Sequence, residues 1–410
     1  MTRPTPRRLS NGVAVAVVAI LLLAANLRTA VGGVAPLAPV ISDELPLSAG
    51  ALGLLGIAAP LGFALAGLVT PAIAHRFGLE RTIVVTLVVM ISGHLVRAVA
   101  PSVGVLLAGS LVVLVAAGVG NILLPAATKR YVPTRVALVT TLYGTVMSVG
   151  ASLPPLIAVP IAVGVDWRLS LGVWSIAALM AVGPWVVLAR RTARSDDRLH
   201  VGAAPDARGA AALARSRTVW GITLAFGLSS VSAYALFAVL PSVLREEAGV
   251  APAAAGALVA LFGILGLPLA LVVPTITERH RTPTALLVAA SALFAVGWGG
   301  LWLAPELAPV FWVSAIGLGQ ISFPMGLTLI GLRTESPRTA AAVSGFVQTV
   351  GYIAAAVVPP VLGVLREQTG SWQPAMGLMT VLTVATLAAV PLLRSRQTID
   401  DELAASGARR

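Results

Sequence analysis

The chain reads as an all-α polytopic membrane protein, with twelve transmembrane helices arranged as two similar six-helix bundles. Three observations predict this. Of its 410 residues, 57% are hydrophobic and 11% are charged, with mean hydropathy +0.93. Soluble domains average about 45–50% apolar and about 25% charged. The apolar residues fall into twelve runs, each long enough for the roughly 20 residues that cross a bilayer. Landmarks of the first six runs then recur, in order, in the last six.

The elements follow in sequence. Arg3, Arg7 and Arg8 mark residues 1–12 as a cytoplasmic tail. The first bundle, 13–189, holds runs at about 13–41, 49–74, 82–100, 104–127, 136–164 and 169–189. The first run is too long for a signal peptide and leads into further spans, so it is read as a retained helix. Hydropathy collapses over the linker, 190–217, which carries seven Arg and three acids and lacks the apolar content for a core. The second bundle, 218–393, holds runs at about 218–244, 253–277, 284–303, 308–332, 340–365 and 374–393, and a polar tail, 394–410, closes the chain.

Charge orients these elements. All but Arg28, Arg97, Arg168, Arg245 and Arg366 of the 28 Lys and Arg fall in segments that one topology puts on a single side, with both termini cytoplasmic. The net charge of +12 therefore reflects orientation in lipid and not a nucleic-acid partner. There are no cysteines, and the four histidines are scattered without ligand spacing, so no metal and no cofactor are expected.

The halves repeat at an offset of 199 to 206 residues. Ala49-Gly50-Ala51-Leu52 matches Ala255-Gly256-Ala257-Leu258. Pro71 with Arg76 matches Pro274 with Arg279. Gly118-Val119-Gly120-Asn121, four before Pro125, matches Gly317-Leu318-Gly319-Gln320, four before Pro324. Pro154-Pro155 matches Pro359-Pro360, and Trp167 matches Trp372. The Gly-x-Gly pairs allow close helix approach. The paired prolines remove helix hydrogen bonds and introduce bends.

Arg28 is the residue the apolar pattern explains least. Near the middle of the first run, a guanidinium costs roughly 2.5–3.5 kcal/mol on insertion scales and cannot lose its proton. About twelve residues separate it from either end of the run, so snorkelling is not available. No Asp or Glu lies at mid-membrane depth elsewhere in the chain. Two readings stand: Arg28 fixes helix packing, or it lines a path for an anionic or polar solute.

Two bundles in parallel repeat are the layout of major facilitator transporters, with the substrate site near the midplane between the halves. The turn after the second run can be set beside that superfamily's cytoplasmic motif, Gly-x-x-x-Asp-Arg-x-Gly-x-Arg-Arg. Arg76, Gly78 and Arg81 match it, while Pro71 and His75 replace its first Gly and its Asp. That departure leaves two readings: no charge latch there, or one altered by His75.

Within the superfamily the chain resembles the cyanate-porter and 2-nitroimidazole-transporter branch. The resemblance rests on Asn26-Leu27-Arg28, Phe77-Gly78-Leu79-Glu80-Arg81, Gly118 to Pro125, Thr328 to Thr334, Ser344-Gly345-Phe346-Val347-Gln348 through Gly351-Tyr352, and Thr369-Gly370-Ser371-Trp372. It spans nearly the whole chain apart from the tails and linker. It implies a bacterial inner-membrane transporter whose first, fourth, seventh and tenth helices line the cavity. That nominates Arg28, Asn121, Ser229 or Tyr234, and Gln320 as substrate-binding residues. Gln348 and Tyr352, at i and i+4, share a face of the eleventh helix. Relatives often carry Gln where Ser229 stands, so one polar arm of the cavity is shorter here.

Asn and Gln offer donors and acceptors to a small polar solute. They serve equally as interhelical hydrogen bonds, worth about 0.6 kcal/mol on average in membranes. His75, Arg76 and Arg81 are candidates for coupling. Tyr143 is read as a gate or as an interfacial residue. His94 and Arg97, at i and i+3, are read as a snorkelling pair at the interface, with a proton-linked role for His94 as the alternative. Trp298, Trp302 and Trp312 are read as aromatic-belt residues.

The expected function is a secondary active or facilitative transporter for a small anionic or polar solute, with Arg28 as its anchor. The alternative is efflux of amphipathic drugs. The expected partners are the solute and the lipid bilayer, with protons as candidate coupling ion and a monomer as the assembly. No nucleophile elbow, zinc pair or nucleotide loop is present, so an enzyme is not expected.

Overall fold

The computed structural model describes residues 6–32, 34, 37–194, 211–280 and 283–407. All regular structure among these residues is helical. Twelve helices among them are long and apolar enough to cross a membrane, by length and composition. The chain divides into two compact units, Met1–Asp206 with Ser336–Gly345, and Ala207–Glu335 with Phe346–Arg410. Part of the expected linker, 195–210, lies outside the described residues, as do the first five residues of the expected N-terminal tail and the last three of the C-terminal tail.

The first unit is built from α1 (Pro6–Gly32), α2 (Ala38–Ser42), α3 (Ala49–Phe77), α4 (Leu79–Ala98), α5 (Val103–Tyr131), α6 (Val136–Gly164), α7 (Trp167–Gly172) and α8 (Trp174–Arg194). Polar residues between the runs begin the helices. Ser48 Oγ accepts from the Ala51 amide, and Asp166 Oδ1 accepts from the Arg168 amide at 2.6 Å. Such caps satisfy donors that have no partner inside the helix. Gly78, at φ 81°, is the single residue joining α3 to α4. That left-handed backbone suits glycine, which accounts for Gly78 in the motif.

α1 packs on α5, α6 and α8. The Trp185 indole donates to the Ala19 carbonyl at 2.9 Å, and Asn26 Nδ2 donates to the Ala177 carbonyl at 3.0 Å. Asn26 is thus an interhelical bond. A Cβ on Gly120 would lie 2.7 Å from Leu27, and one on Gly118 would lie 2.5 Å from Ala66. The Gly-x-Gly pair lets α1 and α3 approach α5 as expected.

The second unit holds α9 (Arg217–Glu246), α10 (Pro252–Arg279), α11 (Thr284–Leu303), α12 (Pro309–Gly319), α13 (Ser322–Leu332), the part of α14 (Pro337–Thr369) from Phe346 on, α15 (Gln373–Val384), α16 (Ala389–Leu392) and α17 (Ile399–Gly407). Its second Gly-x-Gly pair plays the same part: a Cβ on Gly317 would lie 2.7 Å from Leu265 of α10, and one on Gly319 would lie 2.6 Å from Phe294 of α11. α9 and α14 cross with backbones in contact, since a Cβ on Gly351 would sit 3.0 Å from Gly227 Cα.

Helix continuity and packing depart from the sequence expectations in several places. The first run is not one helix: α1 ends at Gly32 and α2 resumes at Ala38. Gly32 marks the end of α1, and glycine is a poor helix former. The tenth run is also broken, at Gln320–Ile321. Pro324 cannot donate to the Gln320 carbonyl, which instead accepts from the Phe323 amide at 3.1 Å in a tighter turn. The equivalent Pro125 lies inside an unbroken α5.

Trp298 is not a belt residue. It is fully buried, and its indole donates to Ser232 Oγ at 2.9 Å. Buried indoles find hydrogen-bond partners, and Ser232 supplies one here. Lastly, the polar tail carries a helix, α17, docked within its own unit. The Ile399 amide donates to the Arg333 carbonyl at 2.7 Å, and the Arg333 guanidinium donates to the Gln397 carbonyl at 3.2 Å.

Candidate functional site

In the first unit the geometry of α1 assigns a direction to Arg28. Leu23 and Leu27 contact Gly120 of α5, Asn26 contacts Ala177 of α8, and the Ala25 carbonyl lies against Gly150 of α6. Helical residues advance about 100° each. Arg28 therefore lies between the sectors facing α5 and α6, opposite the side packed on α8. Arg28 and Leu21 share that sector, and both are partly exposed. Arg28 is also one turn from the end of α1. Breaks of this kind accompany binding sites in transporters, because unwound backbone is tolerated where it lines a cavity. Asn121, near the middle of α5, is buried, one residue from the Gly120 contact with α1.

In the second unit the nominated residues gather on α9, on α14 and at the α12–α13 break. Ser229 is fully buried, and its hydroxyl donates to Gln320 Oε1 at 2.6 Å. Gln320 Nε2 is buried and has no hydrogen-bond acceptor. The Tyr352 ring lies edge-on to Tyr234 (centroids 6.2 Å apart) and to Phe226 (5.4 Å). Gln348 is buried one turn before Tyr352. A serine, two amides and two phenols thus occupy three neighbouring elements, and the Gly227–Gly351 crossing holds α9 and α14 together beside them. They offer hydrogen-bond donors and acceptors with an aromatic wall.

The coupling candidates separate. His75, Arg76 and Arg81 are exposed at one end of α3 and α4. The sequence reading passed over the buried member of that motif. Glu80 is 3% exposed and accepts from Arg130 Nε at 2.8 Å and from the Tyr131 hydroxyl at 2.7 Å. The charge pair at this motif ties α4 to the end of α5, and Glu80, which stands where the motif has an Arg, forms it with Arg130. The signal available in the sequence was Glu80 facing Lys129-Arg130-Tyr131 across neighbouring runs.

Tyr143 is buried, at 1% exposure. His94 and Arg97 are not a snorkelling pair: both are buried between helices, at 0% and 2% exposure. The α4 face that carries them is covered by α5 and α7, so it never reaches lipid.

Each unit also closes one end with a Glu–Arg pair beside the repeated tryptophan. Arg168 bonds Glu44 at 2.5 Å and stacks over Trp167 at 4.2 Å, while Arg366 bonds Glu246 at 2.7 Å. The Arg168 hydrogen bond holds the Glu44 carboxyl below its ordinary pKa. The Trp372 amide donates to the neighbouring Glu247. Among the described residues no group of three His, Cys, Asp or Glu could hold a metal ion.

The Major Facilitator Superfamily profile matches residues 18–359. The chain is 31% identical to an uncharacterized transporter, YycB, of Bacillus subtilis (strain 168), covering 93% of this chain and 94% of that one. It is 32% identical to the 2-nitroimidazole transporter of Escherichia coli (strain K12), covering 89% and 91%. It is 28% identical to the cyanate transport protein CynX of the same organism, covering 86% and 90%. Among solved structures, the proton:xylose symporter XylE superposes with a TM-score of 0.71 at 14% identity, covering 97% of this chain and 98% of that one. At that identity the likeness speaks for the fold.

Proposed function

This chain belongs to the Major Facilitator Superfamily, and on that premise we propose that it moves a small polar or anionic solute, cyanate-like or nitroimidazole-like, by alternating access. Arg28 is the anchor in this reading. The observation that carries it is the direction of Arg28: a partly exposed cation on the sector of α1 between those facing α5 and α6, one turn from the end of that helix. The polar cluster around Ser229 and Gln320 beside the α12–α13 break supports it. Asn121, Tyr234, Gln348 and Tyr352 complete the proposed binding set. The similarity to transporters named for nitroimidazole and cyanate supports the solute class. The charge pattern supports cytoplasmic placement of both termini and of His75, Arg76 and Arg81 as coupling residues; a monomer in the bacterial inner membrane completes the proposal.

The test is flux in proteoliposomes with labelled cyanate and with a 2-nitroimidazole. Arg28→Ala abolishes transport while the protein still inserts and purifies. Arg28→Lys transports poorly, because an ammonium lacks the planar fork of a guanidinium. Unchanged flux in Arg28→Ala would remove Arg28 from the site. Undiminished export of amphipathic drugs by that variant would instead favour the efflux reading.

A further inference from the structure

His94 and Arg97 lie in the last two turns of α4 and, at i and i+3, share one face. Nothing in the transport reading uses them. Arg97 is 2% exposed and His94 is 0% exposed. Arg97 Nε and both ring nitrogens of His94 are buried without a hydrogen-bond partner. No Asp or Glu among the described residues lies within 4.0 Å of Arg97. A guanidinium keeps its proton at any working pH, and an uncompensated buried charge is costly. The face therefore presents a permanent cation with no carboxylate beside it among the described residues, next to an imidazole set against the Leu171 backbone of α7.

The space around the pair is narrow. A Cβ on Gly109 of α5 would sit 3.0 Å from Arg97 Cγ, and one on Gly172 of α7 would sit 3.0 Å from Ala98. We propose that His94 and Arg97 form a site for a small monovalent anion of halide size, buried in the first unit between α4, α5 and α7. The donor set selects against cations, and the tight packing selects against larger carboxylates. The anion is the counter-charge that the fold lacks. This site is separate from the Arg28 anchor and stands whether or not that anchor is right. The same chemistry fits ambient chloride or a transported anion such as cyanate.

The experiment is thermal unfolding of the detergent-purified full chain in sodium gluconate, with gluconate replaced stepwise by chloride or bromide at constant ionic strength. A ligand that binds only the folded state raises Tm. The expected result is a saturable rise of about 1–3 °C in wild type. Arg97→Gln removes the halide dependence, and His94→Gln shifts its midpoint to higher concentration. The rise persists in Arg28→Ala. Cyanate added in gluconate distinguishes the sources: a shift lost in Arg97→Gln but kept in Arg28→Ala assigns a transported anion to this site. A shift lost only in Arg28→Ala leaves the site to ambient halide. A wild-type Tm equal in chloride and gluconate would overturn the proposal without recourse to any variant. So would a halide rise that survives in Arg97→Gln.

Discussion

Replacing Glu80 should uncouple α4 from α5 at the end where the superfamily motif sits. The carboxylate is 3% exposed and receives two bonds, from Arg130 Nε at 2.8 Å and the Tyr131 hydroxyl at 2.7 Å. The Arg130 side chain is itself only 9% exposed. Removing one member of such a buried pair typically costs about 3–5 kcal/mol, because the other charge is left behind. Arg130 also lies over the Tyr131 ring, at 5.7 Å from its centroid, which offsets part of that loss. Glu80→Ala is therefore expected near the low end, at about 3 kcal/mol. Glu80→Gln keeps the volume and one acceptor and should cost about 1.5–3 kcal/mol. Arg130→Met alone leaves the acid unpaired, whereas the double variant Glu80→Gln/Arg130→Met leaves no buried charge and should be less destabilised than the sum of its parts. The assay is a double-mutant cycle on detergent-purified protein, read by thermal and chemical unfolding. A coupling below about 0.5 kcal/mol, the range in which independent sites add, would refute the claim that this pair joins the two helices.

Other expectations follow from the same geometry. Gly351→Ala places a methyl 3.0 Å from Gly227 Cα and 3.1 Å from the Phe226 ring, so it should cost about 1–3 kcal/mol of stability as the α9–α14 crossing is forced apart. Gly256→Ala, whose Cβ would meet nothing within 4 Å, should be neutral or stabilising by up to about 1 kcal/mol; equal unfolding midpoints for the two variants would contradict the packing argument. Glu402 accepts from the Ser216 hydroxyl at 2.8 Å and from the Arg217 amide at 2.6 Å. Partial burial raises its pKa, but these bonds outweigh that and hold it below the ordinary value. A depressed carboxyl contributes its stability above the unfolded value, about 4.3, and loses it as pH falls through the folded one. The protection factors of residues 399–407, corrected for the intrinsic pH dependence of exchange, should therefore be high at neutral pH and drop as pH falls below that range, with Glu402→Gln weakly protected throughout. Protection independent of both pH and that substitution would rule out the carboxylate as the tether.

Much of this protein was legible in the linear chain, because bilayer solvation acts on composition. Twelve apolar runs, the clustering of Arg at one set of loops and the recurrence of Gly-x-Gly and Trp landmarks each follow from a local constraint: run length, loop charge or close helix approach. That Gln348 and Tyr352 share a face was legible as well, since residues a turn apart do, whereas the Ser229–Gln320 bond and the Tyr234–Tyr352 contact depend on how three elements pack. What the chain did not disclose is which side of a helix its neighbours cover. Hydropathy treats an apolar residue against lipid and one against another helix alike, so His94, Arg97 and Trp298 look interfacial until packing places them inside. The two breaks, after Gly32 and at Gln320–Ile321, were equally hidden. Pro125 and Pro324 stand in the same local pattern, yet only the second interrupts its helix. Glu80 shows the same limit: its pairing with Arg130 joins residues fifty positions apart, and only the packing of α4 on α5 decides that the acid meets the guanidinium and the phenol in one buried spot.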